Sequence, residues 1–257
     1  RKKDHHEREE ESYQSRKCTG KSREQIEVSV KAVRSTRWCL TMWKNISKQV
    51  SPPRRSMTRV RKVTTDNGAI CAPYHYEGFP KSVCTSVNSV ICHGIPSKDE
   101  ILKEGDIINV DVSTIYKGYF SDASRMFCIG NVSADKKRLV KTAKEAIQVG
   151  LMEVKPFAPL GNMGHAIHMY AKSQGYTVVE EIGGHGVGLE FHEDPFVSYV
   201  SPKGSGPVMV PGMVFTIEPM INMGSPEFYV DAKNGWTVYT EDGMPSAQWE
   251  DDRSSYG

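Results

Sequence analysis

Single acidic residues interrupt segments that otherwise have the composition of β-strands. In IINVDVS the alternation of residue types places Ile108, Val110 and Val112 on one face of a strand and Asp111 on the other. In VFTIEPM a further acid, Glu218, stands in an apolar run, where a carboxylate without a partner would strongly disfavour folding. A chain with this pattern therefore needs a fold that supplies a counter-charge to buried carboxylates.

Two helical patterns separate two groups of predicted strands. SADKKRLVKTAKEAIQVGLMEV begins at Ser133, a favourable N-cap, and places Leu139, Ala143, Ala146 and Leu151 at spacings that can share a face. LGNMGHAIHMYAKSQGY is the second helical pattern. Strands, two helices and further strands, in that order, predict an α+β fold.

The first part of the chain gives weaker signals. Residues 1–20 lack apolar periodicity and are predicted to be disordered, and a helix is predicted from Ser22 toward Ile46. The segment SPPRRSMTRVRKV combines two prolines with several basic residues and is interpreted as a linker or a distorted helix.

Composition excludes several classes of protein. The chain is 38% hydrophobic and 25% charged, and no apolar run approaches the roughly 20 residues of a membrane span. No segment near the start resembles a secretory signal, so we expect a cytoplasmic location. Basic residues are concentrated in residues 1–62, where a solvated arm is favoured over a nucleic-acid site.

The six cysteines form no CxxC pair, which predicts reduced thiols and no zinc finger.

Four acids in the predicted strand regions indicate a metal site. A hairpin through YKGY would bring Asp122 close to Asp111, and the repulsion between them would change sign around a cation. Glu218 and Glu250 follow in later strands. Several carboxylates with one imidazole favour Mn, Fe or Co over a structural zinc site, and two ions balance the charge better than one. The alternative is that the two aspartates are exposed on the hairpin surface.

The segment GGHGVGLEFHEDP contains two histidines among four glycines. The glycines disfavour a helix, and an odd separation of seven would point His185 and His192 to opposite faces of one strand. The two residues must therefore lie on either side of a bend or on different strands. One can then bind a metal while the other faces a substrate, or both can be ordinary structural histidines.

Several motifs together resemble one enzyme family. CTSVNSVICHGIP, INVDVS, GYFSDASRMF, GGHGVGLEFHEDP, PGMVFTIEPMIN and NGWTVYTEDGMPSAQWE resemble type I methionine aminopeptidases from about Asn67 to Glu250. These enzymes remove the initiator methionine from new proteins. The resemblance implies the pita-bread fold, in which two pseudo-symmetric α+β halves form a curved antiparallel sheet backed by helices. It implies one catalytic domain over residues 21–257, with halves of about 21–130 and 131–257.

The resemblance also implies a catalytic centre with two divalent ions that activate one water. Mn, Fe or Co are the expected ions, with Zn and Ni as alternatives. Glu218 would also shuttle a proton, while His93 and His192 would contact the nitrogen and the carbonyl oxygen of the scissile bond. The ligands that it implies are Asp111, Asp122, His185, Glu218 and Glu250.

Further sites follow from the resemblance alone. A monovalent cation is expected near Asn88, Val90 and Ser246. The expected partner is the N-terminus of a nascent polypeptide, with the ribosome as a further candidate, and the expected state is a monomer that binds no membrane and no specific nucleic acid. The implied methionine pocket consists of Tyr76, Phe79, Cys84, Phe191 and Trp236.

Two regions depart from the family pattern. In residues 36–63 the sequence only weakly resembles the helix, turn and helix that the family has there. The sequence after Glu250 lacks the β-rich family motif. We therefore expect the terminal strand to be missing and Glu250 to be poorly held. The alternatives to methionine aminopeptidase are an X-Pro aminopeptidase and a non-catalytic relative that binds protein at the ribosome.

Overall fold

A computed structural model describes the chain in two parts, a discontinuous N-terminal part and one continuous body. Every described residue between 24 and 41 is helical, in agreement with the predicted helix. The predictions for residues 1–20, for Ser22 and for Ile46 lie outside the described residues. The described residues are 21, 24–25, 27–28, 31–32, 36, 39–41 and 53–254.

The segment interpreted as a linker or a distorted helix is a helix, α1, over Pro53–Asp66. A linker was the wrong interpretation. Val60 and Val63 are buried one turn apart, and Thr64 beside them is also buried, so one face of the helix packs into a core. Pro53 at the first helical position costs nothing, because the N–H that it lacks would have no partner there.

A long hairpin forms the centre of the first sheet. β4 (Ile107–Tyr116) pairs antiparallel with β5 (Tyr119–Cys128), as the sequence predicts, and Lys117 and Gly118 turn with positive φ of 51° and 81°. Ile108, Val110 and Val112 on β4 pack together in one core cluster. β1 (Ile70–Cys71) and β2 (Cys84–Val87) flank β4, and β3 (Val90–Cys92) follows β2.

The two predicted helices are present. α2 spans Ala134–Met152 with Ser133 as its N-cap, whose side chain accepts a hydrogen bond from the backbone of Lys136. α3 spans Leu160–Ser173, and the two helices pack against each other through a shared core. That core also takes in Phe215 and Ile217, so the helices support the strands of the second half of the chain.

Short strands form the rest of the body. They are β6 (Thr177–Val178), β7 (Gly184–Gly186), β8 (Glu193–Val197), β9 (Val214–Ile217), β10 (Met220–Asn222), β11 (Phe228–Val230), β12 (Val238–Thr240), β13 (Ser246–Gln248) and β14 (Asp251–Ser254). They assemble into a sheet β13-β10-β6, a sheet β11-β12-β3 and a sheet β14-β9-β7-β8, the second of which includes β3 from the first half. No described helix has both the length and the apolar character that a membrane crossing needs.

Two expectations about the second half need correction. A strand does follow Glu250: β14 pairs antiparallel with β9, so the expected loss of this strand is wrong for Asp251–Ser254. Glu218 and Glu250 do not lie within strands but in the short breaks that follow β9 and β13. The break after Glu218 has a clear cause, because Pro219 has no N–H to offer a ladder.

Candidate metal centre

Three side chains from distant parts of the chain converge on one point. Asp122 comes from β5, His185 from β7 and Glu250 from the break between β13 and β14. One ligand atom from each lies within 4.8 Å of the others. Asp122 is 5% exposed and Glu250 is 1% exposed, so these acids have little access to water. Such a group of two carboxylates and an imidazole is suited to hold a divalent cation.

Glu218 and Asp111 complete the predicted ligand set. Glu218 Oε1 lies 3.5 Å from His185 Nε2, and Asp122 Oδ2 lies 4.0 Å from the same nitrogen. Asp111, on β4, lines the same cavity as Asp122, His185 and Glu218. The structure thus brings all five predicted ligands into one neighbourhood.

Hydrogen bonds fix the direction of the His185 ring. Its Nδ1 lies 2.9 Å from the backbone oxygen of Gly186, which can only accept a hydrogen bond. Nδ1 therefore carries a proton, and Nε2 faces Asp122 and Glu218. A histidine that ligates a metal typically has this arrangement, in which the second ring nitrogen donates to a neighbouring oxygen.

The glycines beside His185 allow neighbouring strands to approach closely. A Cβ on Gly186 would lie 2.2 Å from the backbone oxygen of Asp194, and one on Gly184 would lie 2.3 Å from the Tyr199 hydroxyl. β7 lies between β8 and β9, so any side chain at these positions would push the sheet apart. The glycines thus permit the close packing of β7 between β8 and β9, and this packing places the His185 imidazole at the site.

The site has an excess of negative charge. Burial raises the pKa of Glu218 to about 7, although His185 and a hydrogen bond from Thr216 act in the opposite direction. Burial also raises the pKa of Asp122, against the lowering effect of His185. No lysine or arginine lines the cavity among the residues that the structure describes. A divalent cation would add positive charge among these acids, so the donor set fits a metal.

A cavity of about 400 Å³ opens beside the acids. Phe79 and Trp236 meet edge to face with ring centroids 5.3 Å apart, and Tyr76 and Phe191 do so at 4.8 Å. The cavity therefore has an aromatic end and an acidic end. It contains every residue of the predicted substrate pocket, Tyr76, Phe79, Cys84, Phe191 and Trp236.

The two predicted catalytic histidines also line this cavity. The rings of His185 and His192 lie 4.3 Å apart, although His185 is in β7 and His192 directly precedes β8. The expectation that these two residues lie on either side of a bend is thus confirmed. His93 has a positive φ of 55° and directs its ring toward Trp236, at 6.2 Å between centroids.

The predicted monovalent cation site lies elsewhere, around the turn between β2 and β3. The backbone oxygen of Asn88 accepts a hydrogen bond from Ser246 N at 2.9 Å. Lys136 Nζ donates to the side-chain oxygen of Asn88 at 2.8 Å, so an ammonium group already lies beside this turn. Val90 pairs with Tyr239 of β12.

Sequence reasoning missed the residues that position the acids. Ser113 donates to Asp122 at 2.7 Å, Thr216 donates to Glu218 at 2.6 Å, and Gln248 donates to the other Glu218 oxygen at 3.1 Å. Ser113 follows Asp111 by two residues on β4, so the strand alternation places both on one face. The signal for Ser113 was therefore present in the sequence.

Comparison with known proteins identifies the chain's relatives. Residues 35–253 match the model of metallopeptidase family M24. The methionine aminopeptidase of Buchnera aphidicola is 49% identical over 182 residues, which cover 71% of this chain and 69% of that protein.

Solved structures match the fold. The crystal structure of methionine aminopeptidase from Rickettsia prowazekii superposes with a TM-score of 0.91 at 37% identity, covering 93% of this chain and 96% of that one. A prolidase from Pyrococcus furiosus matches with a TM-score of 0.73 at 21% identity, covering 96% of this chain and 65% of that one, which shows a shared fold alone. The predicted pita-bread fold is confirmed.

Proposed function

This chain belongs to metallopeptidase family M24, and from that membership we propose that it removes the N-terminal methionine from polypeptides. The reaction is hydrolysis of the first peptide bond by a metal-dependent aminopeptidase. The observation that carries this proposal is the convergence of Asp122, His185 and Glu250 beside an aromatic cavity. The relatives at close to 50% identity are methionine aminopeptidases, so neither the X-Pro aminopeptidase nor the non-catalytic alternative is favoured.

The enzyme uses divalent metal, and we assign two ions to it. Mn, Fe or Co suit a set of carboxylates with one imidazole, and Zn or Ni are the alternatives. The excess negative charge of the buried acids is the argument for more than one ion. The proposed ligands are Asp111, Asp122, His185, Glu218 and Glu250.

The side chains around the metal then have distinct tasks. Divalent ions at such a site lower the pKa of water and polarise a carbonyl oxygen. Glu218 takes up a proton at its carboxylate and returns it to the leaving amine. His93 contacts the nitrogen of the scissile bond, and His192 donates to the carbonyl oxygen on which negative charge develops.

The aromatic end of the cavity selects the first residue. Phe79, Trp236 and Phe191 surround the space with ring faces and edges, and Cys84 adds a sulfur. A methionine side chain is unbranched and polarizable, so it fills such a space with favourable contacts between sulfur and rings.

The remaining assignments concern the enzyme in its cellular setting. We propose one catalytic domain over residues 21–257, with halves of about 21–130 and 131–257, that acts as a cytoplasmic monomer. Its substrate is the N-terminus of a nascent polypeptide, met at or near the ribosome. A monovalent cation near Asn88, Val90 and Ser246 would support the turn between β2 and β3.

A metal add-back assay tests the proposed activity. The protein is stripped of metal with a chelator, and Mn, Fe or Co is then added back. Release of methionine from Met-Ala-Ser is compared with cleavage of an Ala-Pro peptide. We expect methionine release only with metal. The activity of the Asp122→Asn variant should fall at least about 100-fold, because loss of a residue that only hydrogen-bonds to a metal ligand already lowers activity or metal affinity about 10–100-fold.

The exposed Asp99 supplies a matched control, since Asp99→Asn makes the same chemical change away from the cavity. Its activity should equal that of the unchanged protein. Cleavage of the Ala-Pro peptide in preference to Met-Ala-Ser would instead establish an X-Pro enzyme. Absence of both activities in a metal-loaded protein would support the non-catalytic alternative.

A further inference from the structure

Tyr76 and His192 form a hydrogen-bonded pair at the edge of the cavity. The Tyr76 hydroxyl oxygen lies 2.9 Å from His192 Nδ1, and the two ring centroids are 5.2 Å apart. Tyr76 belongs to a single 3₁₀ turn, Tyr76–Gly78, that is far from His192 in sequence. The contact therefore depends on the fold and not on local geometry.

The turn holds Tyr76 firmly. Its backbone N donates to Pro73 O at 3.1 Å, and its backbone oxygen accepts from Phe79 N at 2.8 Å. The ring also packs edge to face on Phe191, the neighbour of His192. The backbone and the ring of Tyr76 thus both have partners, which fix the position of its hydroxyl oxygen beside His192.

The direction of this hydrogen bond decides the tautomer of His192. A tyrosine hydroxyl has one proton to donate, and His192 is the one hydrogen-bond partner of the Tyr76 side chain within the described part of the chain. Burial raises the pKa of Tyr76, and the charges of Glu77 and Glu190 act in the same direction, so the hydroxyl keeps its proton. When the hydroxyl donates, Nδ1 of a neutral His192 accepts, and the ring proton resides on Nε2.

His185 provides the contrast within the same site. Its Nδ1 donates to the Gly186 carbonyl, which leaves Nε2 as the ring nitrogen that can bind a cation. Donation by the Tyr76 hydroxyl would give His192, 4.3 Å away, the opposite tautomer, with a bare Nδ1 and a protonated Nε2. Different hydrogen-bond partners would then direct the Nε2 atoms of the two rings to different tasks, one to a cation and one to a hydrogen-bond acceptor.

We propose that Tyr76 is a positioning residue that holds His192 in the Nε2–H tautomer, so that His192 presents a donor to the substrate carbonyl. The inference rests on the proposed function and adds to it a role for the Tyr76 hydroxyl that its place in the aromatic wall does not require. The aromatic wall requires only the ring of Tyr76, whereas the control of the His192 tautomer requires its hydroxyl oxygen.

The variant Tyr76→Phe separates these two roles, because it keeps the ring and removes the hydroxyl. Without the hydroxyl, His192 populates both tautomers and turns more freely. We expect kcat for Met-Ala-Ser to fall about 10-fold to 100-fold, at or below the cost of removing an oxyanion donor outright, about 10²–10³-fold. KM should stay within about twofold, since the aromatic contacts with methionine remain.

Nitrogen NMR of ¹⁵N-histidine-labelled protein supplies the direct readout, because a protonated and a bare ring nitrogen give well-separated signals. The spectrum is recorded with zinc, a diamagnetic ion, and without metal, and a His192→Gln spectrum assigns the signal. We expect a proton on Nε2 of His192 in the unchanged protein and a mixture of tautomers in Tyr76→Phe. Tyr74→Phe is the matched control, since Tyr74 lies against His75 and Arg61 instead.

Two results would overturn the proposal: a proton on Nδ1 of His192 in the unchanged protein, or an unaltered kcat in Tyr76→Phe. If the unchanged protein releases no methionine at all, the proposed function fails. The tautomer signal still decides the pairing in that case. A fall in kcat with an unaltered tautomer would also contradict the proposal, because the loss would then have another cause.

Discussion

At the scale of single residues, the candidate site depends on which groups are charged. Desolvation lowers the pKa of His192 to about 4, and the repulsion that charged His185 and His93 would exert acts in the same direction, although the residue is exposed at the edge of the cavity. Burial raises the pKa of Glu218 to about 7 in the metal-free site. His192 is therefore a neutral group near pH 7.

The lowered pKa of His192 gives a prediction with a definite sign. The ring should stay neutral as the pH falls from 8 to about 5 and should take up a proton only as the pH approaches 4. The measurement is a ¹⁵N-histidine NMR titration of the metal-free protein. A midpoint at or above the ordinary histidine value of about 6.5 would contradict the account.

Other residue-scale features could be read from the sequence because they follow strand alternation. The places of Asp111 and Asp122 on a hairpin follow from the period of two and from the YKGY turn. The roles of Thr216 and Gln248 could not be read in this way. Their hydrogen bonds to Glu218 depend on how β9 and β13 lie in the folded molecule.

At the scale of elements, the break between β13 and β14 is held by a clamp of two side chains, Arg125 and Trp249. The Arg125 guanidinium donates to Glu250 O and, at 2.7 Å, to Ser124 O. It also lies over the Trp249 ring at 5.1 Å, while Lys144 lies on that ring at 5.2 Å. The expectation that Glu250 is poorly held is therefore wrong.

The clamp formed by Arg125 and Trp249 predicts a change in metal affinity. Arg125→Gln removes the hydrogen bond to the Glu250 backbone oxygen, so a cation should bind about 10–100-fold more weakly, as after loss of other groups that orient ligands. Lys144→Gln is the matched control, because Lys144 touches Trp249 but makes no hydrogen bond to Glu250. Calorimetric titration with Mn²⁺ measures both variants. Equal affinity in Arg125→Gln and the unchanged protein would refute the role of the clamp.

Helices and strands were harder to predict from the sequence where backbone pairing or tertiary burial, and not local propensity, stabilises them. α1 contains two basic pairs and no acid in its first turn, and only its buried face, with Val60 and Val63, explains its stability. The residues Asp-Asp-Arg-Ser of β14 have low strand propensity, yet their backbone pairs with β9 along its length. Local propensity gives no signal for such elements.

At the scale of the whole molecule, the proposed ligands come from several sheets. Asp111 and Asp122 belong to the sheet around β4, and His185 belongs to the sheet that contains β7 and β9. Glu250 connects the two, because its N donates to Ser124 O of β5 at 3.1 Å. A cation at this point would hold the two halves of the chain together.

Metal should therefore stabilise the fold. A ligand that binds only the folded state adds about 2.7 kcal/mol at a free concentration 100 times Kd, or about 5–10 °C in Tm for a chain of this size. Calorimetric unfolding with Mn²⁺ and with a chelator measures the shift. Asp122→Asn should lose most of it, and an equal shift in that variant would place the stabilising ion elsewhere.

Anomalous diffraction from crystals soaked in Mn²⁺ tests the central claim most directly. The account predicts anomalous peaks within ligand distance of Asp122, His185 and Glu250, with Asp111 and Glu218 on either side. Saturating Mn²⁺ that leaves these five side chains without a peak, while the protein still releases methionine, would contradict it.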